Sequence, residues 1–600
     1  MNNDMNRLDT TDILKILKRL IKYIYKFSPK LLILNTSLIV ILGVSSTFII
    51  YSSELLINSI ANYRSMNIVI HSFIIYFIIN LLVRILKQLS GYILEKHQVL
   101  LNYHTNRDIL KKCIDLSLLD FENSEVYNSI NRATDEGQIK IFSVFMNLVS
   151  IVTQLISVIS ISTIILEWSS PLFLLIFVVP IISTIVNSRL GYLNYKMRME
   201  RMEEVRKASY INYLLTNDIA YKEVKSYGIG EYLSNMHKKT TKEIANQDIC
   251  IIRKRAKWLL NLGILDEVIQ IIVTIRTFTM TLSGELLIGS TMAYINSFTT
   301  IQSNISSLLQ NLTEIYNDTL YISQYFYLID FEVGDKRNDL YKFDEDEIIE
   351  KIETVNLSYK YKDTDHYAIR DINITIIQED ILGIIGENGS GKTTFIKLLC
   401  GFYDDYDGEI FINNFNLRDI DKDSLRKKMG VIFQDFNKYE FSLRENIGFG
   451  NIEKINNDFL IYDVLYKSHL KEKIDKFSDG IDTQMGTWFS GEMLSTGEWQ
   501  RVAIARVLFR DSNILILDEP TASIDPIREK DIFKLIRSES KNKITILITH
   551  RPENMQYINA KIIMFQNGTI VADGYHDHLI DTNEIYTSFL QAKDELHAVQ

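Results

Sequence analysis

Residues 386–393 read Gly-Glu-Asn-Gly-Ser-Gly-Lys-Thr, with Thr394 next. The spacing G-x-x-x-x-G-K-[ST] suits one task, holding a chain of phosphates. Gly386, Gly389 and Gly391 free the backbone so that the N–H groups of Glu387, Asn388 and Ser390 can wrap an anion, and a helix starting there adds partial positive charge. Lys392 would reach the β- and γ-phosphates, and the Thr393 hydroxyl would ligate Mg²⁺. The context is the required one, because the apolar run Ile381–Ile385 precedes the loop and TTFIKLL follows it as a helix.

A second group of reactive residues follows at a distance. Asn513–Glu519 reads NILILDE and places Asp518 126 residues after Lys392. A buried strand ending in two carboxylates suits the crevice of a parallel sheet, with Asp518 holding Mg²⁺ through water and Glu519 polarising the attacking water. Taken alone, LDE also fits a plain strand running into a turn. Between the two motifs lie Gln434, in VIFQDF, and Leu494–Glu498, LSTGE, which opens the helix WQRVAIARVLFR. Ser495 and Gly497 at that helix start would meet a phosphate oxygen. Ser523-Ile524-Asp525 follows, and then a further apolar strand ends in Thr549-His550. A lone histidine after a strand is usually an ordinary polar residue; His550 gains weight as the last member of an ordered series.

The elements that must carry these residues fall in two halves. From about residue 350, strands alternate with helices, the pattern of an α/β nucleotide fold. Ahead of it stand six apolar runs, at 31–52, 68–86, 141–166, 170–188, 260–282 and 287–310, each near the ~20 residues a helix needs to cross a bilayer. Basic residues alternate between their connections: seven Lys and Arg in 1–30, Arg64 alone in 51–67, eight in 84–140, none in 167–171, fifteen in 189–257 and none in 281–289. The positive-inside rule then puts both termini in the cytoplasm. Run six is polar, with Thr291, Asn296, Ser297, Thr299, Thr300, Gln302 and Asn304, and this face is expected to line a cavity. Asp266 and Glu267 are expected on the cytoplasmic side of the lipid. Residues 326–349 lose apolar periodicity and read as a linker.

Charge separates the halves too. Residues 1–340 carry 34 Lys plus Arg against 30 Asp plus Glu, and residues 341–600 carry 31 against 45. An acidic soluble half argues against a nucleic-acid partner. Cys113, Cys250 and Cys400 stand too far apart for a disulfide framework or a metal knuckle. With 6 prolines and 25 glycines in 600 residues and no repeat, collagenous and disordered classes are excluded.

In order and kind, these motifs resemble those of the ATP-binding-cassette (ABC) superfamily, over nearly the whole chain. The resemblance implies an exporter-type (type IV) half-transporter: an α-helical six-span transmembrane domain followed by an α/β P-loop nucleotide-binding domain of ABC type. The expected segments are 1–30 cytoplasmic, 31–325 transmembrane, 326–349 linker, 350–592 ATP-binding and 593–600 tail. It further implies ATP and Mg²⁺ as cofactors, Tyr359 as the aromatic stacked on adenine with Tyr361 as the alternative, Gln434 as a Mg²⁺ contact, Glu519 and His550 as catalytic, and Ser495 with Gly497 completing the site of a second copy. Thr496 and Glu498 depart from the family's LSGGQ. The stretches 120–134 and 218–233 resemble the cytoplasmic segments that couple ATPase to transport.

Within that superfamily, FQDFNKYEFSLRENIGFG (433–450), DTQMGTWFSGEMLSTGEWQRVAIAR (482–506) and DFENSEVYNSI are similar to lantibiotic (lanthionine-peptide) exporters of the nisin and subtilin type. The expectation is a homodimer in the cytoplasmic membrane that exports a ribosomal peptide, possessing contacts to lipid and to peptide-modification enzymes. Alternatives are a multidrug or lipid exporter and a non-transporting ABC regulator. Only 30 residues precede the first run and the first cysteine is Cys113, so no cysteine-peptidase segment is expected and the leader would leave intact.

Overall fold

The computed structural model describes residues 10–62, 65–166, 175–332, 340–362 and 364–598. Arg64, the connection 167–171, the first residues of the fourth apolar run, and parts of the N-terminal segment, linker and tail lie outside the described residues. The chain divides into two units, one of Met1–Leu116 with Asp120–Glu332 and one of Ser117–Leu119 with Val333–Gln600.

The first unit is all helix. It comprises α1 (Thr10–Phe27), α2 (Pro29–Ala61), α3 (Met66–Asp115), α4 (Leu118–Glu122, shared with the second unit), α5 (Ser124–Arg132), α6 (Gln138–Leu166), α7 (Val178–Glu200), α8 (Met202–Thr216), α9 (Asp218–Ser226), α10 (Gly230–Leu282) and α11 (Ile288–Asp330). Among the described residues, five helices are long and apolar enough to cross a membrane, namely the stretches within α2, α3, α6, α7 and α10. The sixth long helix, α11, falls outside that set because polar residues interrupt its apolar surface. At about 1.5 Å per residue, α3, α10 and α11 outrun a ~30 Å hydrocarbon core and continue as helix beyond it.

Polar side chains fix α11 among its neighbours. Asn304 Nδ2 donates to Ser157 Oγ at 2.9 Å, Ser143 Oγ donates to Asp318 at 2.7 Å, and Lys140 pairs with Asp318 at 2.8 Å. Thr291, Ser297 and Gln302 are buried. Only part of the polar face therefore points away from the bundle: Asn296, Ser303, Ser307 and Gln310 are exposed, with Thr299 and Thr300 half-buried beside them. Asp266 is half-buried and accepts from Gln302 Nε2, so this carboxylate has an amide partner on α11.

The second unit holds two sheets. The antiparallel one has order β2-β1-β4-β5, from β1 (Lys351–Tyr359), β2 (Ile369–Ile377), β4 (Asp407–Ile412) and β5 (Phe415–Asn416). The other has order β10-β9-β3-β8-β7-β6, from β3 (Ile381–Gly386), β6 (Met429–Ile432), β7 (Ile514–Asp518), β8 (Ile544–Ile548), β9 (Lys561–Gln566) and β10 (Thr569–Tyr575). β9, β3, β8, β7 and β6 run parallel. Every residue of β7 and β8 is buried, as expected of parallel strands covered on both faces. Phe395, Leu398 and Leu399 of the helix Lys392–Leu399 fill the core between the sheets, and Leu118 and Leu119 pack against that core. On the other face, Ile504 and Val507 cover Ile385, Leu515 and Leu517 with Ile532, Phe533 and Ile536.

Candidate nucleotide site

The parallel order β3-β8-β7-β6 decides which distant residues meet. Four neighbouring strands end on one edge, so the loop after Gly386, His550 after β8, Asp518 and Glu519 at the end of β7, and Gln434 two residues past β6 lie side by side. They line a cavity of about 390 Å³ with Tyr361, Ala368 and the stretch Asn388–Thr394.

The loop is built on backbone that only glycine supplies cheaply. Gly391 has φ +106°, and an added Cβ would stand 2.5 Å from the Ala368 carbonyl oxygen; a Cβ on Gly386 would come 2.3 Å from that of Phe565. Lys392 Nζ donates to the carbonyls of Gly386 and Glu387 at 3.0 and 2.8 Å. Burial lowers its pKa, opposed by Glu519 and Asp518. Ser390 Oγ is buried without a hydrogen-bond partner. An orphaned hydroxyl, a turned-in ammonium and N–H groups at a helix start fit a polyphosphate.

The acidic end fits a divalent cation beside it. Thr393 Oγ1 donates to Asp518 Oδ2 at 3.2 Å. Burial and the neighbouring Glu519 charge push the Asp518 carboxyl up to about 6. Glu519 has φ +51°, a strained conformation for a glutamate. Its N–H donates to the Ile548 carbonyl at 3.0 Å and its Oε1 lies 2.6 Å from His550 Nε2. Bonding to His550 holds the Glu519 carboxyl below its ordinary range, and a bond from Gln434 adds to this.

Three expected site residues lie outside this cavity: Tyr359, and Ser495 with Gly497, the pair expected to complete the site of a second copy. Tyr359 is 4% exposed, with its ring stacked on Tyr403 at 5.1 Å in the core. Tyr361 lines the cavity instead, its hydroxyl 3.1 Å from that of Thr394. The two residues differ because β1 ends at Tyr359, and the chain turns outward only after it. Ser495 and Gly497 are not among the cavity's lining residues. Ser495 caps the helix Thr496–Arg510 in a reciprocal capping box: Glu498 N–H donates to its Oγ at 3.3 Å, and its own N–H donates to Glu498 Oε2 at 2.8 Å. Glu498 thus keeps the structural part of the Gln it replaces and adds a charge, 3.6 Å from Lys473.

Sequence comparison supplies the decisive observation. Over 593 residues, covering 98% of this chain and 96% of the relative, the protein is 32% identical to the subtilin transport ATP-binding protein SpaT of Bacillus subtilis. The chain belongs to the ABC transporter family. Residues 369–522 match the family named ABC transporter. The nisin transport ATP-binding protein NisT of Lactococcus lactis is 32% identical over 86% of each chain, and an ATP-dependent lipid A-core flippase of Francisella tularensis is 24% identical over 82% of this chain and 80% of the relative. A bacterial Atm1-family ABC exporter with ATP bound shares the fold, with TM-score 0.76 over 98% of this chain and 99% of that one at 20% identity. This ABC protein is an ATPase-coupled transporter embedded in a membrane.

Proposed function

We propose that this ABC transporter exports a peptide across the cytoplasmic membrane as a homodimer, both termini inside, driven by hydrolysis of Mg-ATP. The observation that carries the cargo class is the stripe Asn296, Thr299, Thr300, Ser303, Ser307 and Gln310 on α11. With Asn296, Ser303, Ser307 and Gln310 exposed and Thr299 and Thr300 half-buried, it suits a wet path past which amide-rich cargo moves, and it suits a lipid cargo poorly. The lantibiotic-type peptide exported with its leader comes from the subtilin and nisin relatives.

At the site, Tyr361 stacks on the base. The loop from Gly386 to Thr394 and Lys392 hold the phosphates. Thr393, Gln434 and Asp518, the last through water, would hold Mg²⁺, which would neutralise phosphate charge. Glu519 takes a proton from water as its oxygen bonds to the γ-phosphorus and the bridging P–O bond breaks, leaving ADP and phosphate. His550 holds the carboxylate in place. Ser495 and Gly497 reach the γ-phosphate on the second copy, so neither copy has a complete site alone.

The test is ATPase activity of the whole protein in lipid vesicles, challenged with a leader-bearing lanthionine peptide, its leaderless form and a hydrophobic dye. Stimulation by the leader-bearing peptide alone is expected. Stimulation by the dye, with neither peptide active, would replace the peptide reading with a drug or lipid one.

A further inference from the structure

Gln500 has no role in the site as described, yet it is 3% exposed and both ends of its amide are used. Its Nε2 donates to the carbonyl of Glu519 at 2.8 Å, and its Oε1 accepts from the N–H of Ser523 at 3.0 Å. The two bonds clamp both ends of the turn that leaves β7, whose own bonds run from Ala522 N–H to Glu519 O at 3.3 Å and from Ile524 N–H to Thr521 O at 3.1 Å.

Gln500 stands on the helix that Ser495 caps, three residues past Gly497 and hence on the same face. That face is seated tightly: a Cβ on Gly497 would lie 2.7 Å from the Ser523 carbonyl oxygen. The first turn of the helix and the turn Glu519–Ser523 therefore move as one piece. Glu519 is the part with least tolerance for displacement, since its backbone is already held at φ +51° and its carboxylate is fixed by His550.

We propose that Gln500 is a positioning residue that makes the alignment of Glu519 depend on where the Ser495 end of its helix sits. Given the two-copy site, on which this inference rests, Ser495 engages the nucleotide held by the partner copy. Its engagement there is then transmitted through one side-chain amide to the water-activating carboxylate of the same chain. Each copy hydrolyses its ATP when its own Ser495 has found the other's.

The test uses Gln500→Met, which keeps length and apolar stem but has no amide, and Gln500→Glu, which keeps the acceptor for Ser523 and loses the donor to Glu519. Full-length protein in vesicles is assayed for turnover, for KM, and for ATP-driven closure of the two nucleotide domains by energy transfer between labelled copies. For Gln500→Met, kcat falls by more than tenfold while KM and closure stay within about twofold of wild type; Gln500→Glu, whose carboxylate would face the Glu519 carbonyl with nothing to donate, loses at least as much kcat. Wild-type kcat in Gln500→Met overturns the proposal, as does closure lost in step with kcat, the mark of a merely structural residue. Glu519→Gln run in parallel separates the underlying reading: undiminished hydrolysis in that variant removes Glu519 as the water-activating base, whatever Gln500 does.

Discussion

Glu519 and His550 face each other across 2.6 Å, carboxylate to imidazole, at the ends of adjacent parallel strands. The pair joins the group that activates water to the group that holds it. Glu519→Gln leaves the phosphate loop untouched and removes the base. ATP binding is expected to persist and turnover to fall by roughly 10²–10⁴; nucleotide binding by fluorescence and phosphate release read the two separately.

The Asp518 carboxyl, pushed up to about 6, gives a pH dependence with a definite sign. Its raised pKa favours the protonated form in the folded chain, a stabilising contribution present at low pH and lost as pH rises through about 6. Mg²⁺ must displace that proton, so Mg-dependent nucleotide affinity falls by up to about tenfold per pH unit below 6. Binding in EDTA lacks this component. Equal affinities for Mg-ATP at about pH 5 and 7 would contradict the placement of the cation at Asp518.

Tyr359 and Tyr361 separate stability from binding. Tyr361→Ala is expected to raise the KM for ATP with little change in melting temperature. Tyr359→Ala removes a ring stacked on Tyr403 in the core and costs about 3–5 kcal/mol of stability, the range for large aromatic truncations. Thermal melts beside ATP titrations distinguish them.

Glu498 tests the altered signature. Glu498→Gln keeps the capping box, because either residue closes it, and removes a negative charge at the helix start. Stability should change by less than about 1 kcal/mol, since the half-buried pair to Lys473 is a long one at 3.6 Å, while apparent ATP affinity of the closed dimer rises. Ser495→Ala loses the cap, at about 1 kcal/mol, along with the phosphate contact.

Much of the site was legible because strand, glycine loop and helix are contiguous in sequence: residues 381–399 carry their own context. β7 announced itself as the apolar run Ile514–Leu517 before Asp518, and β8 as one interrupted only by Thr545. Tyr359 was legible only as one of two, since alternation along a strand does not say where the strand ends. Gln500 carried no signal, because its partners are main-chain atoms of Glu519 and Ser523, and a backbone acceptor has no letter in the sequence. The polar face of α11 was visible as composition. Which of its members bond inward, as Gln302 does to Asp266, depends on helix rotation and on residues more than thirty positions away.

The stripe on α11 also bears on how the protein is made. A segment with Asn296, Ser303, Ser307 and Gln310 on its outer surface gains less from leaving the translocon for lipid than α2 or α6 does, and this is also the last long helix of its unit to be synthesised. It must be taken up by helices already waiting, with Ser157 and Asp266 offering the bonds that lipid lacks. Insertion of the final helix is therefore an act of assembly, and substitutions at Ser157 or Asp266 should first show themselves as protein lost during biogenesis.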